Sequence, residues 1–237
     1  SGGLPANLQG LWLFHLRPAW LCDYHTDINL QMNYWFVDQA HLSDCFSPLA
    51  EWIHAIRDVK KEFTKKHFGE DTRGWAMRAA NGLFGGSCYL ISKGDAAWLA
   101  QNLWDHYAFT LDEEYLRNRA YPVMKELCEF WQDTLKELPD GPHKGKLVSP
   151  DGFSPEHGPI EDGVSFDQQL VWDLFTNFIE AAEVLDADEP SPLAPESDEV
   201  GGEDEDDNAD SDGAESDDKA KDEKSGQEEE KEKVEEL

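Results

Sequence analysis

Between Trp20 and Trp35 the chain reads Trp-Leu-Cys-Asp-Tyr-His-Thr-Asp-Ile-Asn-Leu-Gln-Met-Asn-Tyr-Trp, which sets Asp23, His25, Asp27, Asn29 and Asn33 among large aromatic side chains. Carboxylate, imidazole and amide groups flanked by rings suit a cleft for a polyhydroxylated ligand better than a core or a solvated face. A second polar loop, running from Ser149 through Pro150, Asp151, Gly152 and Phe153 to Gly158, carries Glu156 directly behind Pro155. Together the two segments hold the groups that hydrolysis of a glycosidic bond demands. One acid must protonate the leaving oxygen, and in an inverting site a second group activates water from roughly 6.5–9.5 Å away. Glu156 is the acid in this reading. Pro155 stiffens its approach, and a partly buried position against Phe153 is the setting that keeps a carboxylic acid protonated. His25, Asp27 and Asn29 would position water and hydrogen-bond sugar hydroxyls, with Asn33 beside them. Trp35 and Trp75 would offer ring faces to the sugar, although burial in a core is the commoner fate of tryptophan. A capped helix start at Thr26 or Asp27 accounts for part of the first motif. It leaves Asn29, Asn33, Tyr24, Tyr34 and Trp35 unexplained.

The elements that must hold these groups read as helices. Residues 28–40 are helix-compatible behind the cap, and Pro48 fits the first turn of a second helix carrying Leu49, Trp52, Ile53, Ile56 and Val59 at helical spacing. Residues 69–94 are interrupted by Gly69, Gly74, Gly82, Gly85, Gly86 and Gly94. They read as a loop that covers a cleft without building a wall. From Asp95, read as a cap, the helical pattern returns through Leu99, Leu103, Trp104 and Tyr107. A further helix is predicted from about Glu113 to Leu138, interrupted near Pro122, and a last one from Phe166 to Leu185. No segment alternates long enough to predict a sheet. Five or six helices in pairs, with polar motifs in the loops between them, predict a toroid of helical hairpins. No fixed repeat points to a regular solenoid.

Composition divides the chain near Leu185. All nine Trp, six Tyr and twelve Phe lie before that point, whereas residues 186–237 hold 24 Asp and Glu against 5 Lys, so the tail carries −19 of the net −31. The expectation is an ordered domain over 1–185 and a disordered acidic tail over 186–237. The tail has almost nothing apolar to bury against the entropy of ordering, roughly 1–2 kcal/mol per residue. Such acidity excludes nucleic-acid and anionic-membrane binding as leading functions. No apolar run approaches the roughly 18–20 residues that span a bilayer, so the body reads as soluble. Basic proteins are the expected partners of the tail. The start at Ser1, with neither an initiator Met nor a signal-like order, reads as a processed end or a fragment, and the compartment is left undetermined. Cys22, Cys45, Cys88 and Cys128 make no zinc or redox spacing and read as small buried hydrophobes. His106, His143 and His157 fall on different elements, so no metal or other cofactor is expected.

Several segments, taken in order, resemble glycoside hydrolase family 95: Leu-Pro-Ala-Asn-Leu-Gln-Gly-Leu-Trp at 4–12, His-Thr-Asp-Ile-Asn-Leu-Gln-Met-Asn-Tyr-Trp at 25–35, Gly-Gly at 85–86, Ala-Trp-Leu-Ala-Gln-Asn-Leu-Trp-Asp-His-Tyr at 97–107 and Ser-Pro-Glu at 154–156. The resemblance covers residues 4–185. It implies an all-α (α/α)6 toroid and an inverting enzyme acting on α-L-fucosides, or on α-galactosides in some members, with a fucosylated or galactosylated glycan as substrate. It implies that Glu156 is the general acid, that Asp27 and Asn29 stand where two Asn residues help a later Asp activate water, and that His25 contacts sugar. Asn7, Gln9 and Gln31 are motif residues without an assigned role. Two departures shape the expectation. Asp27 replaces the usual Asn, and the helical pattern covers about half of the twelve helices of a full toroid, so the barrel is expected to be incomplete, with an apolar face exposed where further helices would pack. The second reading of the sequence is a non-catalytic product of such an enzyme, binding carbohydrate or acting through its tail.

Overall fold

Three helices begin where the polar motifs lie, and the rest of the fold holds those beginnings together. A computed structural model describes residues 3–11, 16–86 and 92–186. The acidic tail and its expected disorder lie outside the described residues, as does Cys88. All described residues fall in one unit, Ser1–Leu193. The three helices are α1 (Asn29–Tyr34), α4 (Gly94–Thr110) and α7 (Ser165–Val184), with α4 packed against α1 and against α7. Between them in sequence come α2 (Ser47–Ala55), α3 (Arg57–Phe68), a short α5 (Glu113–Tyr115) and α6 (Tyr121–Thr134). α6 packs on both α4 and α7. Two small antiparallel ladders complete the described elements: β1 (Tyr24–His25) with β2 (Ala80–Asn81), and β3 (Lys136–Glu137) with β4 (Leu147–Val148).

Local sequence explains most boundaries. Pro48 occupies the first turn of α2, where its missing N–H costs nothing. The Asp112 carboxylate accepts the Tyr115 amide at 3.0 Å and so caps α5. The helix then widens into a π stretch at Leu116–Ala120 before Pro122 enters α6. A proline ring clashes with the carbonyl four residues back, and the wider turn accommodates it, so the chain runs on through the predicted interruption. α6 stops at Thr134 rather than Leu138, because residues 136–137 pair with β4. Pro139, Asp140 and Gly141 lie in the link of that ladder.

The core is continuous. Leu99, Leu103, Leu127, Phe130, Trp131 and Leu174 are among its buried members, each at most 1% exposed. The loop after α3 belongs to this core, contrary to the sequence reading of a mere cover. Trp75, Ala76 and Met77 are fully buried, and Ala80 and Asn81 follow into β2. The entry is made at Gly74, whose φ of +62° and lack of a side chain let the backbone lie against α6. A Cβ there would stand 1.8 Å from the Glu126 carbonyl oxygen. Glu126 then fixes the loop from the other side. Its carboxylate accepts from Trp75 Nε1 at 2.9 Å, Arg57 Nη1 at 3.1 Å and Lys61 Nζ at 2.6 Å.

Two further expectations are corrected. The predicted helix over 28–40 stops at Tyr34 and continues as turns, and no side chain caps it; Ile28 precedes it at a φ of 86°. Cys45 is exposed, unlike Cys128, whose burial pushes its thiol up to about 12. An exposed apolar face is present on α7, where Trp172 is 71% and Ile179 56% exposed. Beside it, a groove of about 760 Å3 between α4 and α7 is lined by Trp98, Gln101, Phe166, Leu170, Trp172 and Asp173, and by none of the predicted site residues.

Gly74→Ala is expected to cost about 2–4 kcal/mol, from overpacking together with a forced left-handed residue. Gly10→Ala, also at positive φ but in open space, is expected to cost about 1 kcal/mol. Denaturant unfolding of the two variants checks this, and equal losses would remove the argument that Gly74 is a packing contact.

Candidate active site

The segment Tyr24–Asp27 enters the protein as the two-residue strand β1 and the turn that follows it, and the groups around Thr26 keep it there. Thr26 is fully buried. Its amide donates to the Ala79 carbonyl at 2.8 Å, and its carbonyl accepts from Gln31 Nε2 at 2.6 Å. Its hydroxyl lies 3.1 Å from the Arg78 carbonyl and 3.3 Å from Asp95 Oδ2. Asn81 Nδ2 donates to the Tyr24 carbonyl at 3.1 Å, while Asn81 Oδ1 accepts from the buried Lys60 Nζ at 2.5 Å. A buried polar group left unpaired costs about 1–3 kcal/mol, so this network selects one course for the backbone. His25 and Asp27, on either side of Thr26, are only half buried.

The second half of the site is fixed to the starts of α4 and α7. Gly152 and Glu161 exchange backbone hydrogen bonds of 2.7 and 3.0 Å, which close the neck of the loop that carries Glu156. Lys93 Nζ, just before α4, donates to the carbonyls of Pro150 and Asp151. Asp167, in the first turn of α7, fills the space beside two glycines: a Cβ on Gly94 would stand 2.6 Å from its Oδ1, and one on Gly152 would stand 2.7 Å from its Oδ2. These two glycines allow α4, α7 and the Glu156 loop to meet.

The sequence-predicted residues separate into those brought together and those that are not. Asp27 and Glu156, from segments far apart in the chain, interact electrostatically. Burial raises the Asp27 carboxyl above its ordinary range, the Glu156 charge raises it further, and His25 opposes the rise. His25 is itself held by Asp23, with Nδ1 3.2 Å from Oδ2. Asn29 is the first residue of α1 and half buried, immediately after the turn that carries Asp27. Glu156 is exposed, so the partly buried setting expected against Phe153 is not found.

Trp35 is 45% exposed but closes the far end of α1 from Asn29. Asn33 is used within the fold, since its Nδ2 donates to the Asn7 carbonyl at 3.0 Å and so fastens the N-terminal motif to α1. Trp75 is corrected outright as a sugar-stacking residue. It is 1% exposed, with its indole nitrogen bonded to Glu126, and no ring face is left for a ligand.

Three buried polar residues escaped the sequence reading. Asn81 lay in what looked like a glycine-rich cover, and Asp167, within the predicted last helix, was given no role. Asp95 looked like a helix cap, yet it lies inside α4 and is 0% exposed, with Oδ1 accepting from Ser92 Oγ at 2.5 Å. Burial holds the Asp95 carboxyl well above its ordinary range. The charges of Asp27 and Asp167 add to this, and hydrogen bonds from Ser92 and Thr26 oppose it. Asp167 is raised too, first by burial, with Ser149 and Lys93 opposing. Gln31, a motif residue without an assigned role, is the buried prop of the Thr26 carbonyl.

A predominantly helical protein with polar and acidic side chains gathered at the starts of α1, α4 and α7 has the layout of an α/α glycoside hydrolase. The sequence matches the glycosyl hydrolase family 95 catalytic domain over residues 1–199, and the chain belongs to that family, whose fold is the α/α toroid. It is 34% identical over 190 residues to a protein named probable alpha-fucosidase A from Aspergillus niger, covering 76% of this chain and 24% of that protein. It is 28% identical over 196 residues to alpha-L-fucosidase 2 of Arabidopsis thaliana, covering 76% of this chain and 22% of that one. A probable alpha-fucosidase A from Aspergillus oryzae is 26% identical over 187 residues, with 78% and 17% covered. The chain thus spans about a quarter or less of the length of these relatives.

The raised Asp95 carboxyl fixes the sign of a pH effect. Unfolded, Asp95 titrates near 3.8; folded, it holds its proton to higher pH. The folded state therefore binds more protons between the two values, and this contribution to stability is complete below 3.8 and lost as pH rises through the folded value. Asp95→Asn, which has no charge to bury, is expected to gain stability relative to wild type as pH rises. Denaturant unfolding across the acid-to-neutral range measures the difference, and a gap independent of pH would contradict the assignment.

Proposed function

We propose that this chain carries part of the active site of an inverting α-L-fucosidase, with α-galactosides as the alternative substrate class. The observation that carries the reading is that the Glu156 charge acts on the half-buried Asp27 from a loop far away in the sequence. Membership of family 95 supports glycoside hydrolysis, and the names of the relatives favour fucosides.

Glu156 donates its proton to the glycosidic oxygen as the bond to the anomeric carbon breaks. Asp27, with Asn29, orients water on the other ring face and draws off its proton. A carboxylate whose proton affinity is raised is the stronger base, so the replacement of the family's usual Asn by Asp27 adds basicity where water must be activated. His25, braced by Asp23, hydrogen-bonds sugar hydroxyls. The chain spans about a quarter or less of the length of these relatives.

A panel of chromogenic α-L-fucosides and α-galactosides tests this with the wild-type chain, Glu156→Gln and Asp27→Asn. Fucoside turnover is expected. Loss of the general acid should lower kcat by about 10²–10⁴-fold, and Asp27→Asn should lower kcat with KM nearly unchanged. No turnover by folded wild-type protein, indistinguishable from Glu156→Gln, would overturn the catalytic reading.

A further inference from the structure

Asp95 lies directly behind the half of the site that carries Asp27, and nothing in the reaction above uses it. Its carboxyl is completely buried, receives Ser92 Oγ at 2.5 Å on one oxygen and meets Thr26 Oγ1 at 3.3 Å on the other. Thr26 immediately precedes Asp27, and Ser92 immediately precedes the turn into α4. The carboxyl is therefore a bracket between the β1 segment and the start of α4. We propose that Asp95 is a positioning residue which, through the Thr26 hydroxyl, holds Asp27 opposite Glu156; this rests on the reading of those two residues as a hydrolytic pair.

The hydrogen-bond accounting around Thr26 supports the bracket. Its hydroxyl has one hydrogen but three oxygens within reach, the carbonyls of Arg78 and Ala79 and the Asp95 carboxyl. Asn81 Nδ2 also donates to Thr26 Oγ1 at 3.3 Å; when Asp95 is protonated its hydroxyl can take the second lone pair of Thr26 Oγ1, which reverses the bond made to the ionised form and leaves the Thr26 hydrogen for a carbonyl. The charged groups around this bracket favour that state. Asp27 on the β1 side and Asp167 from α7 both disfavour a charge on Asp95. Lys93, at the start of α4, directs its ammonium to the Pro150 and Asp151 carbonyls. An aspartic acid at this position gives a rigid link between two elements of a kind that an apolar residue cannot supply. His25 and Glu156 are the other titratable neighbours of Asp27.

The experiment follows the Asp27 carboxyl by NMR in the full chain, with its signal assigned by loss in Asp27→Asn. In wild type it should titrate above the ordinary aspartate range. Asp95→Ala frees Thr26, so Asp27 becomes more exposed, moves from Glu156 and titrates lower. Thr26→Val, nearly isosteric, should do the same and serves if Asp95→Ala fails to fold. Asp95→Asn, which retains a donor and an acceptor, should keep the wild-type midpoint, and Leu127→Ala, a core control on α6, should leave it unmoved. An Asp27 midpoint unchanged in both folded Asp95→Ala and Thr26→Val overturns the proposal. So does a displacement produced equally by Leu127→Ala. Absence of fucoside turnover with the expected midpoints would count against the catalytic reading alone, while turnover with unmoved midpoints would count against the bracket alone.

Discussion

The amide, carbonyl and hydroxyl of Thr26 are all answered from elsewhere in the chain, inside a protein that leaves this residue no solvent to fall back on. Ala79 takes the amide, Gln31 supplies the carbonyl, and the hydroxyl lies among Arg78, Ala79 and Asp95. Each partner comes from an element with its own reason to be where it is. Residues 75–81 are buried because Gly74 lets them reach α6. Gln31 is one turn into α1, and its own carbonyl accepts from Asn102 of α4 at 3.1 Å. The position of His25 and Asp27 follows from this central residue rather than from contacts of their own with solvent or with one another.

The same constraint explains why so much negative charge can gather at one end of the helices. Asp95 and Asp167 lie in the first turns of α4 and α7, where the partial positive charge of a helix N-terminus favours acids. That benefit does not balance full burial, and both carboxyls are held above their ordinary range. Proton binding therefore limits how much charge the interior holds. The half-buried Asp27 and the exposed Glu156 are more open to solvent than this buried pair.

Helix types and approximate spans were legible in the sequence because apolar residues at helical spacing report burial directly, as Leu99, Leu103 and Tyr107 do. Asp27 and Glu156 were singled out from residue type and from resemblance. The role of residues 75–81 was not, since glycine-rich composition looks the same whether it makes a surface loop or permits close approach, and only the contact between Gly74 and α6 distinguishes them. Trp75 was misplaced for that reason. Asn33 shows a different limit: an amide suited to a sugar is equally suited to a backbone carbonyl, and here Asn7 claims it. Asp95 was read as a cap because an acid near a helix start usually is one. Of its two side-chain partners, Ser92 is three residues away, whereas Thr26 is distant in sequence and no local pattern encodes it.

On this reading Asp27 lies near enough to Glu156 for its carboxyl to feel that charge. The direct measurement is the NMR titration of the Asp27 carboxyl in wild-type protein and in Glu156→Gln. Removing the Glu156 charge should lower the Asp27 midpoint while leaving it above the ordinary aspartate range, because burial, the larger cause, persists. A midpoint that stays the same would place Glu156 out of electrostatic reach and contradict the pairing on which the account rests.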